Sequence, residues 1–500
     1  MDSVDVLVVG SGGAALTAAA LAAHAGLRTL VLERTGLVGG TSAYSGGACW
    51  LPGTRVQRRA GVADSTESAR EYLGAVLHGP DPVRLEAFLA HAPELVTRLE
   101  DDLGIGFEWL PFPEYYDAPG RVPGGRSIQP VSVPRADLPA EVAALVRPPV
   151  ERDRAGRPGR ATLTGGQALV AHLLRRLLAD GGRVATGHRV TGLLVESGRV
   201  TGVVAETVAG AVDLRAEHGV VLACGGFEGH RALRQAYGVP GDAAWSMAPV
   251  GTNTGEPLLA AVRAGAATAG LDQAWLCPGL LQPDGRGSFT LGFRGGVMVD
   301  AQGRRYANEA LPYDRFGRAM AADPARRHSW LVFDSREGGG LPALAMPEGD
   351  VADHLAAGTR VCADSIEKLA STMRVPGATL QATVERFNRL ATAGHDDDFG
   401  RGVDEYDRFF APVGFAPLDE PPYYAARFVL SDLGTKGGLV TDAAGRVLRG
   451  DGSALPGLYA TGNTAANLVG DRYPAPGVPL GTGMVFGSLA VLDIAKGGTA

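Results

Sequence analysis

An apolar, β-branched run from Val4 to Val9 passes straight into Gly10-Ser11-Gly12-Gly13-Ala14-Ala15 and then into an alanine-rich stretch that ends at Gly26. A second apolar run, Thr29 to Leu32, closes on Glu33. Strand, glycine turn, helix and strand within about thirty residues make a βαβ unit, which commits the chain to a parallel sheet covered by helices. Gly10 permits the tight turn, Gly12 lets the backbone approach a pyrophosphate, and Ala15 lets the helix pack close to the sheet. The N–H groups of the first helical turn, where Gly13 and Ala14 stand, face the anion. Glu33 falls where a carboxylate accepts hydrogen bonds from a ribose diol, with Arg34 beside it. The segment predicts a dinucleotide site.

The rest of the composition narrows the class. A chain of 500 residues holds two or three domains, and 45% hydrophobic with 20% charged residues is the balance of a folded globular protein. The net charge is −7 and no basic block stands out, which argues against a nucleic-acid partner. Four cysteines, Cys49, Cys224, Cys277 and Cys362, lie tens of residues apart, and no closely spaced histidine pair occurs. Neither a disulfide framework nor a metal site is expected. The first residues lack a basic leader and no apolar run approaches the ~20 residues of a bilayer span. A cytoplasmic protein without a transmembrane segment is expected, with a peripheral membrane contact left open.

Glycine clusters punctuate the chain. From Val190 to Leu222, three apolar stretches alternate with turn signals and predict a β-meander on the main sheet. From Cys277 to Ala411 the glycine-rich alternation gives way to prolines, charged turns and one helix-like stretch, Asp364 to Ala393; after Leu433 the glycine clusters return. The expected fold is α/β: a Rossmann-like domain in two parts, 1–276 and 412–500, with an inserted α+β substrate-binding and catalytic domain, 277–411.

Further small-residue runs bear on which dinucleotide is bound. Gly39-Gly40-Thr41-Ser42 and Ser45-Gly46-Gly47 can wrap a pyrophosphate and lie flat against a ring system. Val220 to Gly226, with Gly225 and Gly226 at its end, and Gly457 to Asn463, with Gly462 at its turn, read as two further strands ending in backbone contacts to the same ligand. Together these resemble flavoproteins of the succinate dehydrogenase and fumarate reductase superfamily. The resemblance implies FAD, with Leu480 added to the contact set. Between Gly36 and Leu51 there is no histidine for a covalent link, so the flavin is expected to be non-covalent, and Cys224 is read as a buried small residue.

Three tyrosines stand in distinctive contexts: Tyr115 in Phe112-Pro-Glu-Tyr-Tyr116, Tyr313 in Asn308-Glu-Ala-Leu-Pro-Tyr-Asp314, and Tyr473 in Tyr473-Pro-Ala-Pro-Gly477. With Asp432-Leu-Gly-Thr-Lys-Gly-Gly438, they resemble 3-ketosteroid Δ1-dehydrogenases over nearly the whole chain. That resemblance implies that the Tyr473 hydroxyl and the Gly477 N–H hold a keto oxygen, that Tyr313 is the base, and that Tyr115, preferred over Tyr116, assists it. Removing a proton beside a ketone places charge on its oxygen, where each preorganised donor contributes about 3 to 4 kcal/mol. The adjacent hydride would pass to flavin N5. A helix expected to start near Gly481 to Gly483 would present its positive end to the reduced flavin. Arg294, Arg305 and Arg315 are expected as surface or ion-pair residues.

This chain departs from the family at Ala475 and across Gly477-Val-Pro-Leu-Gly481-Thr-Gly483, which leaves the ring system and the position of desaturation open. The leading expectation is Δ1-desaturation of a 3-ketosteroid, with an electron acceptor that the residues do not identify. Alternatives are a Δ4(5α)-dehydrogenase, a desaturase of monocyclic oxocyclohexane-type ketones, a fumarate-reductase-like ene-reductase and a non-catalytic flavin-binding protein.

Overall fold

The computed structural model describes residues 3–412 and 415–497. The chain divides into two compact units, one of Met1–Leu233, Ala248–Gln273 and Thr435–Ala500, the other of Arg234–Met247 and Ala274–Gly434.

In the first unit, strand Val4–Val9 lies between Thr29–Leu32 and Gly210–Leu222, with Arg183–Ala185 beyond the former and Ala454–Ala460 beyond the latter. All four pairings are parallel. Val9 pairs with both Leu32 and Leu222, and Leu222 pairs with Ala460, so the carboxyl ends of these strands lie in register. The predicted meander is present: Arg189–Glu196 and Arg199–Thr207 pair antiparallel, and the latter continues onto Gly210–Leu222. Helix Gly13–His24 packs against helix Gly165–Ala179 and the last helix, Val478–Ala495. Nearly every residue of Gly13–His24 is buried, which explains why its side chains are mostly alanine and leucine.

The last helix begins at Val478, three residues before the expected start, because Gly477 caps it and Pro479 occupies its first turn. It is also long and apolar enough, by length and composition, to cross a membrane, contrary to the reading that no run approaches that length. In this fold 72% of it is buried.

The second unit is built on a sheet in the order Ala274–Leu280, Tyr423–Thr435, His328–Phe333, Val297–Val299, with Arg360–Ala363 also paired to Tyr423–Thr435. The unit therefore runs past the expected boundary at Ala411. Strand Tyr423–Thr435 is central to its sheet, and the return to the first unit falls at Thr435, where the glycine clusters resume. The single helix expected over Asp364–Ala393 is two, Ile366–Met373 and Gly377–Ala393, interrupted where Arg374 takes a left-handed conformation (φ 59°) ahead of Pro376. Both helices contribute to a core with Val297, Val299, Val332 and Ala425, in which Leu369, Leu380 and Phe387 are buried. Phe387→Ala is expected to destabilise this unit by about 3 to 5 kcal/mol, read as an earlier transition in urea unfolding followed by tryptophan fluorescence.

Candidate active site and cofactor cradle

The level strand ends of the first unit put Gly10, Glu33, Ala223 and Thr461 immediately beyond Val9, Leu32, Leu222 and Ala460. Ligands of open parallel sheets bind at such an edge. Gly10 has φ +101°, and a Cβ there would overlap the Ala223 carbonyl. No residue but glycine meets both conditions. The Gly13 N–H donates to the Ser42 hydroxyl at 2.9 Å, tying the first helical turn to the short turn Gly40–Tyr44 that carries Thr41 and Ser42. Ala15 is fully buried, and Ala14 faces Gly462 and Gly483 so closely that a methyl on Gly483 would lie 3.0 Å from its Cβ. Leu480 approaches Gly13 in the same way.

Glu33 is buried and already oriented. The Ser11 hydroxyl donates to Oε2 at 2.5 Å, and the Thr35 N–H and hydroxyl donate to Oε1 at 2.8 and 2.9 Å. A carboxylate has about four acceptor sites, so these three bonds leave capacity for a ribose hydroxyl. The fingerprint turn, the close backbone approach and this acidic residue fit an adenine dinucleotide. Beside it, Arg34 Nη1 donates to the Thr254 hydroxyl at 2.6 Å and pairs with Glu256 at 3.2 Å. Gly46 and Gly47 give close passage past Gly165 and Gly166, where a Cβ on Gly47 would overlap the Gly165 backbone. Asn463 sits in the turn Gly462–Thr464.

Other residues at this edge escaped the sequence reading. Thr464 accepts from the Cys224 N–H and donates to the Gly225 carbonyl, both at 2.9 Å, locking two of the strand-end turns together. Asn253, at φ 53°, stands within 3 Å of where a Cβ on Gly225 would be, and it donates to buried Glu228 and, at 3.4 Å, to the Thr41 hydroxyl. Thr435 receives the Phe227 N–H at 3.0 Å and donates to Glu228 at 3.1 Å. The available signal for Asn253 was the cluster Gly251-Thr-Asn-Thr-Gly255, since asparagine is the side chain that best tolerates positive φ. Burial pushes the thiols of Cys49 and Cys224 up to about 12 and about 11, which agrees with the reading of Cys224 as an inert small residue.

The first unit also gathers Tyr115, Tyr473 and Gly477. Tyr473 and Tyr115 are buried with ring centroids 5.3 Å apart, edge to face, and the Tyr115 N–H donates to the Pro474 carbonyl at 2.9 Å. Tyr116 instead lies under the Arg472 guanidinium, 5.5 Å from its ring centre. Gly477 has φ +86°, and a Cβ would come within 2.6 Å of the Ala48 backbone. It caps the 18-residue last helix, so its N–H stands at the helix's positive end.

Tyr313 belongs to the second unit. It opens helix Tyr313–Ala321, is 5% exposed, and packs edge-on against Phe289 at 4.8 Å. The Asn-Glu pair before it is structural. Asn308 donates to Asp407 at 2.8 Å, and buried Glu309 is clamped by Arg305 and by Arg401 at 3.0 Å. Arg305 also pairs with Asp396 and Arg294 with Glu337, the ion-pair roles expected for them. Among the described residues, no group of three or more His, Cys, Asp or Glu is arranged to hold a metal ion.

A parallel sheet with this edge and this carboxylate defines a dinucleotide-binding protein. The chain belongs to the family described as FAD binding domain, which matches residues 5–480, and it is an FAD-dependent oxidoreductase. It is 41% identical to the 3-oxosteroid 1-dehydrogenase of Rhodococcus opacus over 98% of each chain. It is 35% identical to the 4-oxocyclohexanecarboxylate 2-dehydrogenase of Sinomonas cyclohexanicum, over 98% of this chain and 92% of that one. The crystal structure of the 3-ketosteroid Δ1-dehydrogenase of Sterolibacterium denitrificans in complex with 1,4-androstadiene-3,17-dione superposes with a TM-score of 0.91 at 32% identity, covering 99% of this chain and all of that one. The resemblance read from the tyrosine motifs is thus borne out at the level of the family.

A methyl at Gly226 would overlap the Thr435 hydroxyl, which is itself fixed by Glu228. Gly226→Ala is therefore expected to lower the FAD retained through gel filtration, measured as the ratio of absorbance at about 450 nm to that at about 280 nm, while Gly74→Ala, in a helix and meeting no neighbour, leaves it near the parent value.

Proposed function

We propose that this protein introduces a double bond beside the carbonyl of a 3-ketosteroid, at the Δ1 position. The observation that carries this reading is the meeting of Tyr115, Tyr473 and Gly477 in one unit, in a chain 41% identical to a 3-oxosteroid 1-dehydrogenase.

The Tyr473 hydroxyl and the Gly477 N–H hold the ketone oxygen and stabilise the charge that grows on it as the neighbouring carbon loses a proton. The Gly477 donor draws added strength from its place at a helix N-terminus. Tyr313 takes the proton and Tyr115 assists it. A phenol ordinarily titrates near ~10, so the acidity that the two donors confer on the substrate carbon brings the transfer within reach at neutral pH. Bound FAD supplies the acceptor for the hydride. Gly10, Gly12, Gly13, Glu33, Thr41, Ser42, Gly225, Gly226 and Gly462 hold it, joined by Asn253 and Thr464. We take the enzyme to work in the cytoplasm, a setting that suits four cysteines without a disulfide.

A second reading, a monocyclic oxocyclohexane substrate, is favoured by the 35% identity to the Sinomonas enzyme. Anaerobic addition of 4-androstene-3,17-dione is expected to bleach the flavin and yield 1,4-androstadiene-3,17-dione, with the new double bond located by NMR. Bleaching by 4-oxocyclohexanecarboxylate alone would favour the second reading, and bleaching by neither would overturn both. Tyr313→Phe and Tyr473→Phe are each expected to lower dye-coupled turnover by about 10²- to 10³-fold with FAD retained. Turnover near the parent value in both would refute the assigned roles.

A further inference from the structure

The segment carrying Tyr473 and Gly477 contains two prolines, Pro474 and Pro476, which have no N–H to give to a backbone ladder. Its placement therefore depends on what its carbonyls accept. The Pro474 carbonyl receives the Tyr72 hydroxyl at 2.7 Å as well as the Tyr115 N–H. The Pro476 carbonyl receives the Ser127 hydroxyl at 2.6 Å, and the Gly477 carbonyl receives the Trp50 N–H at 3.1 Å. The Tyr72 hydroxyl also accepts the Tyr116 N–H at 3.2 Å, so one phenol joins the turn of Tyr115 to the segment of Tyr473.

We infer that Tyr72 and Ser127 are positioning residues for the two donors to the ketone oxygen, Tyr72 acting through Tyr473 and Ser127 through Gly477. The inference rests on the reading of those two donors given above.

The supports are themselves anchored. Arg126, next to Ser127, pairs with Asp64 at 3.0 Å and with Glu114 at 2.8 Å, and all three side chains are fully buried. Glu114, next to Tyr115, also accepts the Trp50 indole N–H at 2.9 Å. One ionic cluster thus fixes the backbone beside Ser127 and Tyr115 and the ring of Trp50. Burial, helped by the negative charge of Glu114, pushes the Tyr72 phenol well above its ordinary value, which keeps it a donor through alkaline pH. Tyr72→Phe retains the ring packing and loses the bonds to the Pro474 carbonyl and the Tyr116 N–H, so the hydroxyl can be tested apart from the fold.

The test uses FAD-loaded enzyme, 4-androstene-3,17-dione and a dye acceptor. Tyr72→Phe and Ser127→Ala are each expected to lower kcat roughly tenfold or more, with FAD content and Tm near the parent values. In the Tyr473→Phe background, Tyr72→Phe is expected to cost clearly less than in the parent, because the hydroxyl it positions through Pro474 is gone and only its hold on the Tyr116 N–H remains, whereas Ser127→Ala keeps its full effect. A kcat within twofold of the parent, equal losses from Tyr72→Phe in both backgrounds, or loss of bound FAD or of Tm would overturn the assignment for the residue concerned. Full turnover in Tyr473→Phe alone would instead sink the reading of the ketone site, so the two failures are told apart.

Discussion

The arrangement at the cofactor edge follows from strand register. Because Val9 is level with Leu32 and Leu222, and Leu222 with Ala460, the chain leaves the sheet at one edge from strands widely separated in sequence. Turns packed this closely leave no room for side chains between them. Gly10 against Ala223, Gly226 against Thr435 and Ala14 against Gly462 and Gly483 all answer the same crowding. The small residues are thus a consequence of sheet geometry as much as of ligand shape, and the two demands coincide where the backbone must reach a pyrophosphate. Glu33 is a charged residue at the same edge, held ready by Ser11 and Thr35.

Tyr115, Tyr473 and Gly477, proposed for the ketone side, obey a different logic. Their donors come from a proline-rich segment with little regular structure, so rigidity must be imported from elsewhere in the unit. The buried cluster of Asp64, Arg126 and Glu114 supplies it. Burying three charges is costly unless each is paired and hydrogen-bonded, and here both carboxylates also take backbone N–H groups: Gly53 at 2.6 Å for Asp64 and Val122 at 3.1 Å for Glu114. Such a cluster is intolerant of partial loss, since removing one member strands the others in a dry interior. That intolerance holds the neighbouring backbone to one conformation. Catalysis by preorganised donors benefits, because donors that need not reorient spend no free energy on reorganisation as charge develops.

How much of this could be read from sequence depended on whether a residue's task was set locally. Gly10, Gly12, Ala15 and Glu33 belong to one contiguous βαβ unit, whose spacing carries its own meaning. Tyr473 and Gly477 were singled out only through the family resemblance of the stretch that carries them, whereas the start of the last helix should have been legible, since a glycine cap and a first-turn proline are local signals. Tyr72, Ser127, Asn253 and Thr464 were not, because each acts on a group hundreds of residues away in the chain, and nothing beside it in the sequence records the partner. The edge of the second unit was misplaced at Ala411 because strand Tyr423–Thr435 derives its membership from pairing with His328–Phe333 and Arg360–Ala363. The break at Arg374 was hidden by a non-glycine residue in the left-handed region.

The last helix joins the two halves of the first unit's chemistry. Gly477 caps it, Leu480 presses on Gly13 in the dinucleotide turn, and Gly483 lies against Ala14 and Gly462. These positions recur every three residues and so share one side of the helix. At 1.5 Å per residue, about 9 Å of helix axis separates Gly477, the proposed ketone-oxygen donor, from the contact of Gly483 with Ala14 and Gly462. A helix buried along most of its length cannot stretch or slide without breaking its packing, so that spacing is held as firmly as the core itself. Positive φ, close approach to Ala48 and the helix N-terminus all converge on Gly477. A side chain there would strain the turn, lift the helix from the backbone it touches and move the donor, three failures from one substitution.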